Sequence, residues 1–385
     1  KGVDRLQPWV CNLLRMSLYQ LLYLDRIPDH AVVSEAVGLA KRRGHPGIAG
    51  LVNGVLRNAV RRRGEWTVPA DLPPARRIAL EHSHPEWLVE RWLRQFGEET
   101  TRRICAADNE PPKTSVRANR LRTTRDRLLA ELQEAGFAAR ASEVSPHGIV
   151  LEQAGNMAHT AWYERGELSV QDESSMLVAG IVDPKPGMAV LDCCAAPGGK
   201  ATHMAELMDD RGIVWANDLH PHKERLIREQ ASRLGLTCVR PCVGDAAELE
   251  RRFPPGAFDR ILLDAPCSGL GVIRRKPDLK WAKQPGDSAA LARTQLRLLG
   301  AVAPLLKPDG VLVYSTCTLD PEENEGVVRA FLQAHPEFAP DPAVRALVPA
   351  AVLRESRTMD GSVQILPHVF HSDGFFICRL RRREG

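Results

Sequence analysis

The sequence has no run of apolar residues long enough to cross a membrane. Its 385 residues are 44% hydrophobic, but no stretch approaches the roughly 18 consecutive apolar residues of a membrane-spanning helix. No stretch has the pattern of a secretory signal, and the first residue is Lys1 rather than Met. We therefore expect a cytoplasmic protein with no membrane partner, whose sequence begins inside a domain.

Cysteines are present, but without the spacing of a disulfide framework. The nine cysteines form no paired C-x-x-C motif, which favours free thiols in a reduced compartment. Cys238 and Cys242 lie four residues apart, but no nearby pair of His or Cys residues would complete a zinc site. We predict no metal site and assign these two thiols to the core.

Two common phosphate-binding patterns are also missing from the most informative stretch, residues 190–200. A P-loop would need glycine where Cys193 stands and a hydroxyl residue where Ala201 stands. The dinucleotide pattern G-x-G-x-x-G is absent as well. These absences point away from a pyrophosphate and toward S-adenosylmethionine, which carries none.

The same stretch does contain the pattern of a strand, a turn and a helix. An apolar run over residues 188–191 predicts a buried strand, Pro197-Gly198-Gly199 breaks it, and residues 201–208 have the pattern of a helix. Glycines here let a ligand approach the backbone where a strand ends and a helix begins. An ordinary strand-to-helix turn remains the alternative interpretation.

Positive charge is concentrated in the N-terminal part of the chain. The formal net charge is +4, yet residues 1–65 alone hold eleven Lys or Arg and five Asp or Glu. Such a local excess attracts a phosphate backbone, although a solvated basic surface would have the same composition. Apolar residues recur at helical spacing in this part, and they predict helices over residues 9–22, 31–41 and 47–61.

The rest of the chain divides at proline-rich boundaries. Residues 69–74 form a proline-rich linker, an amphipathic helix is predicted over 85–96, and a Pro-Pro pair at 111–112 marks a second boundary. Residues 113–165 have the pattern of a small α+β unit, without the aromatic motif of RNA-stacking modules. We expect four segments: residues 1–70, 71–112 (a helical linker), 113–165 and 166–385.

From about residue 166 onward, predicted strands and helices alternate. Such alternation predicts a mostly parallel sheet with helices on both faces. After the first strand, the predicted strands span residues 213–217, 238–243, 258–263, 310–315 and 375–380. The predicted helices between them span residues 221–234 and 288–302.

Aspartates stand at the ends of three predicted strands. They are Asp218, Asp245 and Asp264, and the carboxyl ends of adjacent strands meet at one crevice of an open α/β sheet. Asp218, about twenty residues after the glycine turn, suits the hydroxyls of a ribose, and Asp245 is placed to meet an adenine amino group. One such aspartate alone is more often a cap, but together with the glycine turn they favour an adenosyl ligand.

Two cysteines are predicted at the same edge of the sheet. Cys267 lies in an Asp-Ala-Pro-Cys-Ser-Gly motif at residues 264–269, and Cys317 lies fifty residues later in Ser-Thr-Cys-Thr at 315–318. A methyltransferase needs a thiol when its target is C5 of a pyrimidine, because thiolate addition at C6 makes C5 nucleophilic. Buried thiols without chemistry are the alternative interpretation.

Together these motifs resemble those of the RNA cytosine-5 methyltransferases of the Nol1/Nop2/Sun family. The resemblance covers residues 171–385 and rests on Cys-Ala-Ala-Pro-Gly-Gly-Lys at 194–200 followed by the two cysteine motifs. The N-terminal helices resemble the later part of a NusB-like RNA-binding bundle, and we expect this bundle to be truncated. The implied fold is multidomain: an all-α NusB-like module, a small α+β RRM-like unit, and an α/β Rossmann-like class I methyltransferase domain.

The resemblance also implies a cofactor, a substrate and site residues. The family resemblance implies S-adenosylmethionine as cofactor. NusB-like helices accompany the ribosomal type of this family, so the implied substrate is a cytosine of 16S ribosomal RNA. We expect a monomer. Cys317 matches the nucleophile, and Cys267 matches the cysteine that assists product release. Asp264 and Lys200 match residues that face the target cytosine. The implied cofactor-binding residues are Cys194, Ala195, Ala196, Pro197, Gly198, Gly199, Lys200, Asp218, Asp245 and Asp264.

Several alternatives remain beside this interpretation. Transfer RNA is the alternative substrate, and a non-catalytic RNA-binding assembly factor or a thiol redox protein are the alternative classes. DNA cytosine-5 enzymes use the cysteine of a Pro-Cys motif, which would make Cys267 the nucleophile, whereas the Ser-Thr-Cys motif favours Cys317. Cys193 is assigned to the core. Residues 274–278, Arg-Arg-Lys-Pro-Asp, resemble a family segment near the RNA, and we expect them to contact phosphate.

Overall fold

Two units make up the chain, Lys1–Leu72 and Pro73–Gly385. The computed structural model describes residues 2–65 and 67–383 of them. Each unit encloses a buried apolar core of its own. No helix among these residues is both long enough and apolar enough to cross a membrane.

Three helices form the N-terminal unit: α1 (Pro8–Tyr23), α2 (Asp29–Arg43) and α3 (Pro46–Arg61). Leu13 and Leu14 of α1 belong to the same buried apolar cluster as Val52 and Leu56 of α3. Pro46 stands in the first turn of α3, where its missing N–H has no intrahelical partner to lose. The three helices that the apolar spacing predicts are confirmed.

An open cleft of about 1020 Å³ lies between α2 and α3. Lys41, Arg57 and Arg61 are among the residues that line it, together with His30 and a single carboxylate, Asp29. The cleft therefore displays part of the basic excess that the sequence places in this unit, and it offers a surface to which an anionic partner would be attracted.

Three further helices open the second unit: α4 (Pro74–His82), α5 (Glu86–Phe96) and α6 (Glu98–Asp108). Trp92 and Ile104 are completely buried in a cluster with Leu270 and Leu319, which follow the two cysteine motifs. The amphipathic pattern predicts only the middle helix of the three. The segment that we expected to be a helical linker is therefore packed on the residues that carry the thiols.

A small four-stranded sheet follows these helices. Its elements are β1 (Thr114–Ala118), α7 (Arg125–Glu134), β2 (Ala138–Ala141), β3 (Gly148–Glu152), α8 (Ala161–Glu164) and β4 (Leu168–Val170). The strand order is β2-β3-β1-β4, and every pairing is antiparallel. The Thr124 side chain accepts from Arg127 N and caps α7, whose Leu128 and Leu132 are buried against Val116. This α+β unit agrees with the one that the sequence predicts.

The remaining residues form a nine-stranded sheet with its helices. The strands are β5 (Ala189–Asp192), β6 (Ile213–Asp218), β7 (Val239–Val243), β8 (Phe258–Asp264), β9 (Leu306–Thr316), β10 (Phe338–Pro340), β11 (Arg357–Met359), β12 (Ser362–Ile365) and β13 (Phe375–Arg382). The helices are α9 (Glu173–Val182), α10 (Gly199–Leu207), α11 (Pro221–Leu234), α12 (Leu279–Ala282), α13 (Asp287–Val302), α14 (Glu325–Ala334), α15 (Val344–Leu347), α16 (Ala350–Glu355) and α17 (Pro367–Phe370). The strand order is β11-β12-β13-β9-β8-β5-β6-β7, and β10 also pairs with β13.

The sheet is mixed, which corrects the prediction of a mostly parallel sheet. Pairings among β5, β6, β7, β8 and β9 are parallel, whereas β10 to β13 pair antiparallel with their neighbours. Parallel neighbours need a crossover of a dozen or more residues. The connections from β11 to β12 and from β12 to β13 are too short for such a crossover, so these strands turn back on themselves.

Helices cover both faces of this sheet. On one face, buried residues of α9, α10 and α11, including Val178, Met204 and Ile227, share a cluster with the strands. On the other face, Leu299 of α13 and Phe331 of α14 belong to a second cluster. Apolar side chains cover both faces of the sheet, so its functional polar residues lie at its edges. The carboxyl ends of β5 to β9 form one such edge.

Candidate active site

Residues 194–200, here called the cofactor turn, follow β5 and lead into α10 at the carboxyl edge of the sheet. Ala195 N donates to Asn217 O at 2.7 Å, and Gly198 N donates to Ala195 O at 2.7 Å. Gly198 has φ +109°, and a Cβ placed on it would lie 3.3 Å from the Cα of Ile227. Its left-handed conformation and its close contact with α11 both require glycine.

Asp218 and Asp245 stand at the ends of the neighbouring strands β6 and β7. The Asp218 carboxylate accepts from Ala196 N at 3.3 Å and from His220 N at 3.2 Å, so it ties the cofactor turn to β6. The Asp245 carboxylate accepts from Ala247 N at 2.9 Å and caps the short 3₁₀ helix that follows β7. Both aspartates therefore lie at the strand ends where they are predicted, and both also accept hydrogen bonds from nearby backbone N–H groups.

Asp192, the last residue of β5, is a member of this edge that motif reasoning missed. The residue is 1% exposed, and neither carboxylate oxygen has a hydrogen-bond partner among the described residues. Burial, followed by the charge of Asp264, raises the pKa of Asp192 to about 8. A buried carboxyl without a partner suits a ligand that brings a cationic donor, such as the α-ammonium of S-adenosylmethionine. The residues present thus fit this cofactor.

Lys200 and Asp264 form an ion pair between the cofactor turn and β8. Lys200 Nζ lies 2.7 Å from Asp264 Oδ2, and Ser315 Oγ donates to Asp264 Oδ1 at 2.7 Å. Lys200 Nζ also lies 5.3 Å from the ring centroid of Phe375. Burial alone would lower the pKa of Lys200, but Asp264 outweighs it and the pKa is raised. Lys200 therefore stays a cation in the crevice.

The two thiols meet at the ends of β8 and β9. Cys267 Sγ and Cys317 Sγ are 3.4 Å apart, and both residues are partly exposed. Donation from Cys267, helped by the nearby Lys200 charge and opposed by burial, lowers the pKa of Cys317. The same hydrogen bond and burial raise the pKa of Cys267 well above its usual value. Of the two thiols, Cys317 is thus the one that loses its proton more readily.

Three buried residues beside the thiols were also missed by motif reasoning. They are Gln295 of α13 and the pair Glu323 and Asn324 just before α14, all fully buried. A signal for Gln295 was present, because it is a polar residue one turn before the apolar positions Leu298 and Leu299 on the buried face of an amphipathic helix. Their contacts support a separate inference below.

Gly271 is held where three segments of the second unit touch. Its N–H donates to Cys317 O at 2.9 Å, and Gly374 N donates to Gly271 O at 2.8 Å. A Cβ on Gly271 would lie 2.1 Å from Gly374 O and 2.8 Å from Cys317 O. Any larger side chain at this position would push the backbone of Cys317 away.

Arg117, on β1 of the small sheet, is bound to both ends of α10. Its guanidinium is fully buried and donates to both carboxylate oxygens of Glu206, at 3.1 and 2.7 Å, and to Gly199 O at 3.0 Å. It also donates to Gln171 Oε1. The cofactor turn is therefore held from outside the methyltransferase sheet by a residue of the α+β unit.

The expectation that residues 274–278 contact phosphate is wrong for Arg274. This side chain is buried and donates to three backbone carbonyls, those of Ala107, Pro367 and His371. Such a position turns the guanidinium toward the interior, so it is not presented to a phosphate at the surface. Across residues 2–65 and 67–383, no group of three or more His, Cys, Asp or Glu side chains is arranged to hold a metal ion.

The sheet is doubly wound, and its carboxyl edge carries a glycine turn, strand-end aspartates and a lysine–aspartate pair. This is the fold of the S-adenosylmethionine-dependent methyltransferases, which gives the class of the protein. Comparison with known proteins defines the family. The chain belongs to the 16S rRNA methyltransferase RsmB/F family, whose model matches residues 179–381. The ferredoxin-like domain of the RsmF/B-like methyltransferases matches residues 84–158, and the NusB family matches residues 1–61.

Individual relatives agree with this assignment. The chain is 49% identical over 380 residues to the probable ribosomal RNA small subunit methyltransferase B of Bacillus subtilis (strain 168), covering 99% of this chain and 84% of that protein. A methyltransferase homologue from Pyrococcus horikoshii is similar in structure, with a TM-score of 0.70 and 29% identity over 81% of this chain and 99% of that chain. NSun6 from Pyrococcus horikoshii, solved with SFG, shares the fold, with a TM-score of 0.67 and 24% identity over 78% of this chain and 99% of that chain.

These comparisons confirm the predicted fold class and the predicted relationship to the ribosomal type of methyltransferase with a NusB-like module. The structure brings Lys200, Asp264, Cys267 and Cys317 together at one edge of the sheet. It places the cofactor turn, with Asp218 and Asp245, along the same edge. Cys193, assigned to the core, is 1% exposed. The role of each of these residues is inferred from the chemistry that its position allows.

Proposed function

We propose that this methyltransferase transfers a methyl group from S-adenosylmethionine to C5 of a cytosine in 16S ribosomal RNA, through a covalent bond between Cys317 and C6. The observation that carries the proposal is the contact between the two thiols, 3.4 Å apart at the ends of adjacent strands and next to the Lys200–Asp264 pair. A thiolate beside a lysine cation, facing a cofactor-type crevice, suits nucleophilic addition to an electron-poor ring.

In the addition step, the Cys317 thiolate forms the S–C6 bond. The electron pair of the C5=C6 bond moves to C5, which becomes the nucleophile for the methyl group. Asp264 would hydrogen-bond the cytosine near N3, and Lys200 would face the ring as a cation and stabilise the negative charge that develops there. The new C5–CH₃ bond takes the methyl group from a sulfonium, whose sulfur keeps the pair of the broken bond.

In the release step, a base removes the proton from C5. The electron pair of that C–H bond re-forms C5=C6, and the S–C6 bond breaks with its pair returning to Cys317 as thiolate. Cys267, whose sulfur touches that of Cys317, assists this step. Because the target base has to reach both thiols, it must leave its stack or come from a single-stranded loop.

S-adenosylmethionine, when bound, supplies the electrophilic methyl group. It would be held by the cofactor turn, Cys194 to Lys200, and by Asp264. Asp218 would bind its ribose and Asp245 its adenine. The unpartnered Asp192 would add a contact to the ammonium group. The relative NSun6, solved with SFG, an analogue of this cofactor, supports a ligand of this type in the shared fold.

16S ribosomal RNA is the substrate that the relatives favour. The names of the small-subunit methyltransferases and the NusB family match of residues 1–61 both support a ribosomal substrate over transfer RNA. Lys41, Arg57 and Arg61 in the cleft of the N-terminal unit would add contacts to its phosphates, since Lys and Arg side chains supply the sequence-independent part of RNA binding.

The experiment uses radiolabelled S-adenosylmethionine, unmodified 16S RNA, and the variants Cys317→Ala and Cys267→Ala. We expect labelled 5-methylcytosine with the wild type and none with Cys317→Ala. Cys267→Ala should accumulate a protein–RNA adduct that survives denaturation, because addition proceeds and release does not. Cys378→Ala, which removes a buried thiol in the middle of β13, is the matched control and should behave as the wild type.

Two outcomes would contradict the proposal in different ways. If the adduct accumulates with Cys317→Ala instead, Cys267 is the nucleophile and the two roles are reversed. If the wild type binds 16S RNA but labels neither this RNA nor transfer RNA, the chain acts as a non-catalytic RNA-binding factor.

A further inference from the structure

Both backbone neighbours of Cys267 are held by buried side chains. On one side, Gln295 Nε2 donates to Pro266 O at 3.0 Å. On the other side, Ser268 N donates to Glu323 Oε2 at 2.9 Å. The same Nε2 of Gln295 also donates to Glu323 Oε2 at 2.9 Å. Gln295 and Glu323 thus close a ring of hydrogen bonds around the peptide that carries the Cys267 thiol.

Both backbone neighbours of Cys317 are held by one other residue, Asn324. Thr316 Oγ1 donates to Asn324 Oδ1 at 2.6 Å, and Asn324 Nδ2 donates to Thr318 O at 3.0 Å. A single side chain therefore fixes the residue before the thiolate and the residue after it. Asn324, Thr316 and Thr318 are all fully buried, so water does not compete for these bonds.

One side-chain contact joins the two arrangements. Ser268 Oγ and Thr318 Oγ1 are 2.7 Å apart and share a hydrogen bond. Glu323 and Asn324 are adjacent in the chain, and Tyr314 OH donates to Glu323 O at 2.5 Å. The residues that flank each of the two cysteines are therefore bound to Gln295, Glu323 or Asn324, three of them through the backbone and Thr316 through its hydroxyl.

We propose that Gln295 and Glu323 are positioning residues for Cys267 in product release, and that Asn324 is the positioning residue for Cys317 in the attack on C6. The proposal rests on the covalent mechanism proposed above. The mechanism asks each thiol to act on the same cytosine in a different step, and a misplacement of about 1 Å costs about 100-fold in rate. The division of labour follows from the contacts, because each set holds the neighbours of one thiol.

The test separates the two steps in single-turnover reactions with 16S RNA and radiolabelled S-adenosylmethionine. Gln295→Met removes both amide donors with little change in volume. We expect it to form the adduct and transfer the methyl group at a rate within about 3-fold of the wild type, while release slows about 10- to 100-fold. The denaturation-resistant adduct should accumulate, as with Cys267→Ala.

Asn324→Ala is expected to give the opposite pattern. Adduct formation should slow about 10- to 100-fold, and no adduct should accumulate, because release remains the faster step. Glu323→Gln keeps an oxygen that accepts from Ser268 N, so it should release product faster than Glu323→Ala. Gln364→Met, at another buried glutamine that lies on β12 and makes no bond to either thiol motif, is the matched control.

The outcomes distinguish the positioning roles from mere support of the fold. A purely structural network would slow both steps by the same factor in Gln295→Met and in Asn324→Ala, and that result would overturn the proposal. Equal release rates in Glu323→Gln and Glu323→Ala would overturn the role of Glu323, and thermal unfolding of each variant shows that it is folded. If Cys267→Ala itself traps no adduct, the covalent mechanism fails first, and the inference fails with it.

Discussion

The cofactor turn and the two cysteine motifs lie at the same edge of one sheet, yet different parts of the chain hold them. Arg117, from the α+β unit, donates to Gly199 O at the start of α10 and to Glu206 in its last turn. The thiols are held by Gln295 and by residues just after β9. The hydrogen bonds that hold the cofactor side of the crevice therefore come from the small sheet, whereas those that hold the chain neighbours of the thiols come from the methyltransferase domain. Helices α5 and α6 add apolar packing behind the residues that follow the cysteine motifs.

This difference shows that domain boundaries in sequence do not mark functional boundaries. The small sheet is separate in sequence from the methyltransferase domain, but its buried Arg117 holds the cofactor side of the crevice. We expect substitutions in the small sheet to change cofactor affinity, and substitutions in the thiol network to change the rates of the covalent steps. The predictions below test this contrast in order of decreasing effect.

Lys200→Met should have the largest effect, because Lys200 joins the two sides. The variant loses the cation that binds Asp264 and favours the Cys317 thiolate. We expect methyl transfer in a single turnover to fall about 100-fold or more. Without the cation the pKa of Cys317 rises, so the remaining rate should increase with pH more steeply than that of the wild type. The measurement is the single-turnover rate as a function of pH.

Lys307→Met provides the matched control for this prediction. Lys307 Nζ, on β9, lies 2.8 Å from Asp259 Oδ1 on β8. This is the same type of pair as Lys200–Asp264, but Asp259 is near the opposite end of β8 from Asp264. Its loss should leave the rate and its pH dependence unchanged. A wild-type rate in Lys200→Met would show that the pair has no part in the chemistry.

Arg117→Met should weaken the binding of the cofactor, and it tests the cofactor side of this comparison. Removing the arginine leaves Glu206 as a buried charge without its partner, which costs about 3–5 kcal/mol of stability. The double variant Arg117→Met with Glu206→Met removes both charges and should recover most of that stability. Both variants lose the donor to Gly199 O, so the Kd for S-adenosylmethionine should rise about 10-fold in each. Urea unfolding and calorimetric titration measure the two effects.

A second buried arginine offers the control for this pair of variants. Arg379 bonds Asp341 at 2.6 Å and donates to the carbonyls of Ile181 and Val182, away from the cofactor turn. The double variant Arg379→Met with Asp341→Met should leave the Kd for the cofactor unchanged. Equal losses of affinity in the two double variants would mean that any buried ion pair in this unit has the same influence.

Asp192→Asn should have the smallest effect on the reaction, because its main effect is on stability. The pKa of Asp192 is raised to about 8 in the folded protein, against about 4 in the unfolded chain. The folded state thus holds a proton that the unfolded state releases. Stability from this group is present below about pH 4 and is lost as the pH rises through about 8.

Without cofactor, the wild type should therefore lose up to about 4 kcal/mol relative to Asp192→Asn between about pH 5 and pH 8. Urea unfolding of both proteins at several pH values measures this difference. S-adenosylmethionine should reduce the difference in the wild type, because a cationic group beside Asp192 lowers its pKa. Parallel pH profiles of the two proteins would show that Asp192 is ionised throughout.

Much of the fold and of the site is predictable, because it rests on local patterns. The helix over residues 221–234 has the predicted bounds, since Pro221 can start a helix and Gly235, in a left-handed conformation, ends it. The strand-end positions of Asp218, Asp264 and Cys317 follow from alternating strands and helices, which bring carboxyl ends to one edge. The division of the chain at residues 70, 112 and 165 stays a prediction.

What the sequence did not predict depends on long-range contacts. Arg274 looks like a surface cation, and only the three carbonyls that converge on it from distant segments make it internal. Asp192 has the sequence context of an ordinary strand end. Only the structure shows that its carboxylate has no hydrogen-bond partner among the described residues. Gln295 lies far from both thiols in sequence, so no local motif connects them. Side chains that act through tertiary contacts leave only weak signals in one sequence.

The antiparallel half of the sheet has a consequence for the order in which the enzyme is completed during synthesis. β9, which leads into Cys317, gains its second neighbour only from β13, the last strand of the described chain. Phe375, under Lys200, and Gly374, which supports the Gly271 contact with Cys317, arrive with it. Domains emerge from the ribosome N-terminal part first. The N-terminal helices and the cofactor turn are therefore made long before the edge that carries the thiols is complete. We expect a nascent chain to have no methyl-transfer activity until β13 is in place.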